Sequence, residues 1–112
     1  MLRAPVDFEN LQRSGRSRAH PLVAVRFHQS GRAATRFGLS TGRKLGGAVV
    51  RNRVRRRVRA ILRSLAERTE PGWDVLVVCR PAAAEAPHRE LAAALEGLLT
   101  RAGIVRAERI ER

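Results

Sequence analysis

The run Gly46-Gly47-Ala48-Val49-Val50-Arg51-Asn52-Arg53-Val54-Arg55-Arg56-Arg57-Val58-Arg59 constrains the fold more than any other part of the chain. Val50, Val54, Val58, Ile61 and Leu65 follow one another at intervals of four, four, three and four, which gathers them into a single stripe of a 3.6-residue helix. The spacing therefore predicts a helix with one face on a core. Asn52, Arg56, Arg59 and Arg63 fall near the opposite side with Arg55 beside them, while Arg51, Arg53 and Arg57 flank the apolar edge and can snorkel outward.

Between Arg43 and Arg68 the cations are Arg43, Lys44, Arg51, Arg53, Arg55, Arg56, Arg57, Arg59, Arg63 and Arg68, against the single acid Glu67. Most of the formal net charge of +13 sits in this stretch. Like charges within one or two turns repel, so the helix loses stability at its own surface until a polyanion neutralises it. A face serving only solubility would mix both signs. Arginine in such excess suits bidentate phosphate contacts and stacking on bases, which points to nucleic acid.

At 112 residues and 44% hydrophobic, the chain fits one domain, taken as 1–112. It contains no apolar run of about 18 residues, so a transmembrane helix and a membrane partner are not expected. The first residues lack a long apolar segment followed by a small-residue cleavage site, and the expected location is cytoplasmic. Cys79 is the only cysteine and ends an apolar run, where a buried, inert thiol is the simplest reading.

Asp7 to Arg13 can make two helical turns before Ser14-Gly15 stops them. From Pro21 the period becomes two, with Val23, Val25 and Phe27 on one side and Leu22, Ala24 and Arg26 on the other, as in a strand. Gln29 to Ala33 reads as a turn. A second strand over Ala34 to Thr41 sets Thr35, Phe37, Leu39 and Thr41 opposite Arg36, Gly38 and Ser40, and the two are expected to pair as an antiparallel hairpin. The basic helix is expected to run to about Arg68, because Pro71-Gly72 enforces a turn.

Trp73-Asp74 opens another strand, whose continuous apolar run Val75 to Cys79 predicts a central position covered on both faces. Pro81 to Ala86 reads as a connector. Pro87 then suits a helix start, and Leu91, Ala94, Leu95, Leu98, Leu99 and Ala102 form an amphipathic stripe that Gly103 terminates. Ile104 and Val105 extend the packing, and Arg106 to Arg112 is expected to fray.

Catalytic chemistry finds no constellation. His20, His28 and His88 are scattered without a second ligand at metal spacing. The acids Glu67, Glu70, Glu85, Glu90 and Glu96 suit solvent-facing helix positions better than a paired-carboxylate site. Gly42-Arg43-Lys44-Leu45-Gly46-Gly47 lacks the order of a Walker motif, yet its backbone amides, Arg43 and Lys44 all attract phosphate oxygens. Phe8, Phe27, Phe37 and Trp73 are too few for an aromatic stacking platform. Phe8 is as compatible with a small core as with a base or ribose contact.

The block Arg36-Phe37-Gly38-Leu39-Ser40-Thr41-Gly42-Arg43-Lys44-Leu45-Gly46-Gly47-Ala48-Val49-Val50-Arg51-Asn52-Arg53-Val54-Arg55-Arg56 closely resembles the signature of the protein subunit of bacterial ribonuclease P. The Asp7-Phe8 opening, the strand after Pro21, the strand Trp73 to Val78 leading into Arg80-Pro81, and the final Leu-rich helix match in the same order. The resemblance implies an α+β fold, a two-layer α/β sandwich like the second domain of ribosomal protein S5, with a left-handed βαβ crossover through the signature helix. The general rule for such crossovers would predict the right-handed form.

The family resemblance also implies a division of labour. A large RNA subunit with bound Mg²⁺ cleaves precursor tRNA to release its 5′ leader, while the protein binds both RNAs; catalytic groups and metals are then expected in the RNA and none in this chain. On that basis Lys44, Gly46, Arg51, Asn52, Arg53, Arg56 and Arg59 would contact the catalytic RNA. Phe8, Val23, Val25, Ser40, Lys44, Arg51 and Arg55 would meet the leader in a cleft between the first helix and the sheet. Three positions depart from the pattern: Gln12 stands where a second aromatic is common, Val25 where a Tyr is common, and Gly42 where a Ser or Lys is usual. The basic lead-in before Asp7-Phe8 is short, with only Arg3.

Other readings of the same charge field are a ribosomal or other structured-RNA assembly protein without a nuclease role, a helix-turn-helix DNA binder, and an autonomous nuclease. The helix-turn-helix needs a short helix before the basic one, where strands are predicted instead.

Overall fold

Side chains alternate across four strands, and that alternation decides which layer each residue joins. The computed structural model of the chain describes residues 15–108; the helix expected over Asp7 to Arg13, with Phe8 and Gln12, lies outside them. Strands β1 (Arg16–Ala19), β2 (Val23–Gln29), β3 (Arg36–Thr41) and β4 (Trp73–Cys79) form one sheet in the order β1-β2-β4-β3. Helix α1 (Ala48–Ser64) joins β3 to β4, and helix α2 (His88–Arg101) follows β4. Together they make a two-layer α+β sandwich.

The antiparallel hairpin expected of β2 and β3 does not form. β4 lies between them, antiparallel to β2 with Val77 opposite Val25, and parallel to β3 with Val77 opposite Leu39. The apolar run of β4 is what takes the middle place, since only a central strand gains two ladders and cover on both sides. Val75 and Val77 are fully buried on one face, Asp74 and Leu76 nearly so on the other. The β3–α1–β4 unit is thus a crossover between parallel neighbours.

The antiparallel hairpin partner of β2 is β1, a segment for which the sequence predicts no strand. Ala19 pairs with Ala24 and Arg16 with Phe27. His20 accepts from Leu22 through Nδ1 at 3.1 Å and its own amide donates to the Val23 carbonyl, which closes the turn. The polar, exposed Arg-Ser-Arg-Ala of β1 shows no apolar alternation, so it carries no strand signal of its own.

Val23, Val25 and Phe27 of β2 share one sheet face with Trp73, Val75, Val77 and Cys79 of β4, and these form one hydrophobic cluster with residues of both helices. Val54, Val58 and Ile61 of α1 are buried there, as is Leu65 at its C-cap. Each such side chain contributes roughly 1.5–3 kcal/mol. Val50, the first residue of the predicted stripe, is only half-buried; it sits against Gly46, where a Cβ would lie 3.1 Å from the Val50 Cβ.

α1 ends at Ser64, short of the Arg68 expected. The Leu65 carbonyl accepts both the Arg68 amide at 3.0 Å and the Thr69 hydroxyl at 2.9 Å, and the chain tightens into a 3-10 turn over Ala66–Arg68. Pro81–Ala84 is a further 3-10 turn with Ala83 fully buried, so this segment does more than connect. α2 buries Leu91, Ala94, Leu95, Leu98 and Leu99. Its end is a Schellman motif: Gly103, at φ 80°, donates to Thr100 while Ile104 donates to Leu99.

Ile104 and Val105 are buried, and beyond them Arg106 is tied down where fraying was expected. Its amide donates to the Arg68 carbonyl at 2.8 Å, its guanidinium donates to the Glu67 carbonyl, and Thr69 bridges Val105. The segment joining α1 to β4 thereby acquires a partner.

Candidate nucleic-acid interface

The spacing that sends Val54, Val58 and Ile61 inward leaves most of the rest of α1 to polar residues. Asn52, Arg53, Arg56, Arg59 and Arg63 are exposed, and Arg51 and Arg55 are half-buried. Arg55 donates through Nη1 to Asn52 Oδ1 at 2.7 Å, which orients one residue of the Arg-Asn-Arg triplet. The Nε of Arg51 is buried with no hydrogen-bond partner, a donor kept unsatisfied by the protein.

Among the described residues no carboxylate pairs with any guanidinium of α1. The ion pairs lie elsewhere, at Arg36–Asp74, Arg68–Glu96, Arg106–Glu70 and His28–Asp74. The field on α1 is therefore uncompensated and open to an anionic partner.

Lys44 is exposed in the 3-10 turn Arg43–Leu45, which the buried Leu45 pins to the core. Gly46 holds φ 139°, a backbone that L side chains rarely adopt, and an added Cβ would also sit tightly against Val50, 3.1 Å from its Cβ. Its contribution is to let the basic turn lead directly into α1.

Not every arginine of the helix is available. Arg57 donates through Nη2 to the Ala86 carbonyl at 2.6 Å and through Nη1 to the Ala83 carbonyl at 3.3 Å, which clasps α1 to the turn after β4.

The residues expected at the leader do not share a surface. Val23 and Val25 point into the core, both with no exposure, so neither offers a side chain to RNA; that expectation is corrected by the pleat, which sends Ala24, Arg26 and His28 to the opposite face. Ser40 stands half-buried on that opposite face with Arg36 and Gly38. Arg55 lies near Cys79, at the C-terminal end of β4 on the helix side. Phe8 is outside the described residues.

Two features escaped the sequence. Val49 in the first turn of α1 is 79% exposed, a large apolar side chain amid cations. On the sheet face away from the helices, Asp74 is buried and accepts from Arg36 Nε at 2.9 Å and Nη2 at 2.7 Å, with His28 Nε2 3.6 Å away. Asp74, polar between Trp73 and the apolar run Val75 to Cys79, was the only signal for this cluster. Burial pushes the Cys79 thiol up to about 11, against a smaller opposing effect of Arg55, so it is a protonated core thiol.

The Ribonuclease P family model matches residues 1–103. The ribonuclease P protein component of Roseiflexus castenholzii is 40% identical over 105 residues, 93% of this chain and 86% of its own length. That of Symbiobacterium thermophilum is 39% identical over 108 residues, 96% and 94% respectively. A solved ribonuclease P protein from Thermotoga maritima superposes with a TM-score of 0.83 at 30% identity, covering 90% of this chain and 98% of that one. A cationic helix face with no carboxylate partner among the described residues, on this sandwich and in this sequence context, has one assignment: the chain belongs to the ribonuclease P protein family, whose members work in a ribonucleoprotein endoribonuclease of tRNA processing.

Proposed function

We propose that this protein binds the RNA subunit of ribonuclease P and the 5′ leader of precursor tRNA, and so assists Mg²⁺-dependent removal of the leader. The observation that carries this reading is the uncompensated guanidinium face of α1. Exposed Arg53, Arg56 and Arg59, with Asn52 and Lys44, are assigned to the RNA subunit, and Gly46 to the backbone shape that presents them. Arg51 and Arg55, both half-buried, are assigned to phosphates nearer the substrate. Ser40 is the remaining leader candidate among the described residues, on a face it shares with Arg26 and Arg36.

Among the described residues no three His, Cys, Asp or Glu side chains converge as a candidate metal site. Cleavage chemistry and its metals are assigned to the RNA. The protein's role is electrostatic: neutralising phosphates where two RNA strands meet lowers their repulsion and tightens the complex. No helix among the described residues is long and apolar enough to cross a membrane, and RNA partners of this kind assign the work to the cytoplasm.

Reconstitution tests this reading. Cognate RNA subunit and a leader-bearing precursor, assayed at low Mg²⁺ with and without the protein, should show faster cleavage and tighter substrate binding with it. A cleavage rate that the protein leaves unchanged would reject the assignment.

A further inference from the structure

Toward the C-terminal end of α1, the helix and the edge strand β3 border an open pocket of about 530 Å³, within the range of small-molecule sites. Ala34, Phe37, Leu62, Ala66 and Pro71 give it apolar walls. Arg59 and Arg63, one helical turn apart and both exposed, line it as well, and so does Glu70. The Glu70 carboxylate lies 3.5 Å from Arg106 Nε in a solvent-exposed pair, which leaves it capacity to accept further hydrogen bonds.

Few ligands use all three components. A neutral apolar peptide would fill the walls and leave two guanidiniums without an anion, a fatty acid would pair with them but offer the Glu70 carboxylate no donor, and a bare phosphate would use the guanidiniums and leave the walls wet. A nucleotide satisfies each: its base faces suit Phe37, Leu62 and Pro71, its phosphate suits Arg59 and Arg63, and an exocyclic amine suits the Glu70 carboxylate. Uracil has no such amine.

We propose that this pocket takes one unstacked nucleotide bearing an exocyclic amino group, cytidine, adenosine or guanosine in preference to uridine. The proposal rests on the RNA-binding reading above, since the RNA held by α1 would supply the nucleotide. It adds base recognition to a surface that otherwise reads only phosphate charge.

The test is a titration of the isotope-labelled full chain, followed by amide NMR, with the 5′-monophosphates of cytidine, adenosine and uridine and with inorganic phosphate. Cytidine and adenosine monophosphates should shift amides at 34–37, 62–66 and 69–70 saturably, with uridine monophosphate about tenfold weaker. Ala66→Phe, which fills the pocket from an exposed position, should abolish these shifts without lowering the melting temperature. Glu70→Gln should narrow the cytidine-to-uridine ratio.

Equal shifts from inorganic phosphate, equal response to uridine, or shifts that persist in Ala66→Phe would overturn the base site. Salt-sensitive binding of the RNA subunit measured beside it separates the two ideas. If that binding is present and the nucleotide shifts are absent, the pocket proposal falls alone; if RNA binding is absent, both fall.

Discussion

The Nη2 of Arg57 donates to the carbonyl of Ala86 at 2.6 Å, so one arginine of the basic helix is a structural clasp while its neighbours Arg53, Arg56 and Arg59 reach solvent. The same type of side chain serves two purposes within a single turn. Which purpose applies depends on what lies across from it, since Arg57 meets two backbone carbonyls of the turn after β4 and the others meet none.

Arg57→Ala should therefore lower stability by about 1–3 kcal/mol, the cost of removing charge-assisted bonds to two backbone carbonyls. Urea unfolding measures it. The salt dependence of RNA binding should stay as in the parent, which is the readout that separates a clasp from a phosphate ligand.

Arg53→Ala and Arg56→Ala should behave in the opposite way. Stability should hold or rise slightly as helix-surface repulsion falls. The slope of log K against log salt for the RNA subunit should drop by about 0.7–0.9 for each phosphate that the variant no longer neutralises. Filter binding across a salt series would show it, and an unchanged slope would remove that residue from the interface.

Gly46→Ala should destabilise the chain by about 1–3 kcal/mol, because φ 139° disfavours any Cβ and the added carbon would meet Val50 at 3.1 Å. The damage is local to the entry of α1. Thermal unfolding should report a lower midpoint, and RNA affinity should fall with it even though no cation is removed.

Cys79 should resist alkylation. Its thiol is raised from 9.0 to about 11 in the folded chain, so at pH 8 iodoacetamide should react slowly until urea exposes it. The sign for stability follows. The unfolded chain ionises near 9 while the folded one stays protonated, so this group's contribution is intact below pH 9 and is lost as pH rises from 9 through 11. Cys79→Ala should remove that alkaline component from the pH profile of unfolding.

Local chemistry alone decided several things about this protein. The four-four-three-four spacing of valines and their successors set the inward face of α1, and with it the outward direction of Asn52, Arg53, Arg56 and Arg59. Gly103 set the end of α2, and the unbroken apolar run set β4 at the centre of the sheet. The signature block around Arg51-Asn52-Arg53 carried the family. These are legible because helix and strand periodicities depend only on neighbours along the chain.

Tertiary structure decided the rest. That β2 and β3 take the two edges of β4 instead of pairing with each other, which leaves the outer edge of β2 to β1, depends on competition between strands that no local pattern encodes, and the polar β1 shows itself as a strand only once β2 is beside it. The inward direction of Val25 followed from alternation; that this face is the one under the helices, and so closed to RNA, followed from packing. The Arg57 clasp, the Arg36–Asp74 pair and the pocket beside Arg63 each join residues more than twenty positions apart. Such contacts exist only after the chain has folded, because long-range proximity is a property of topology and not of sequence spacing.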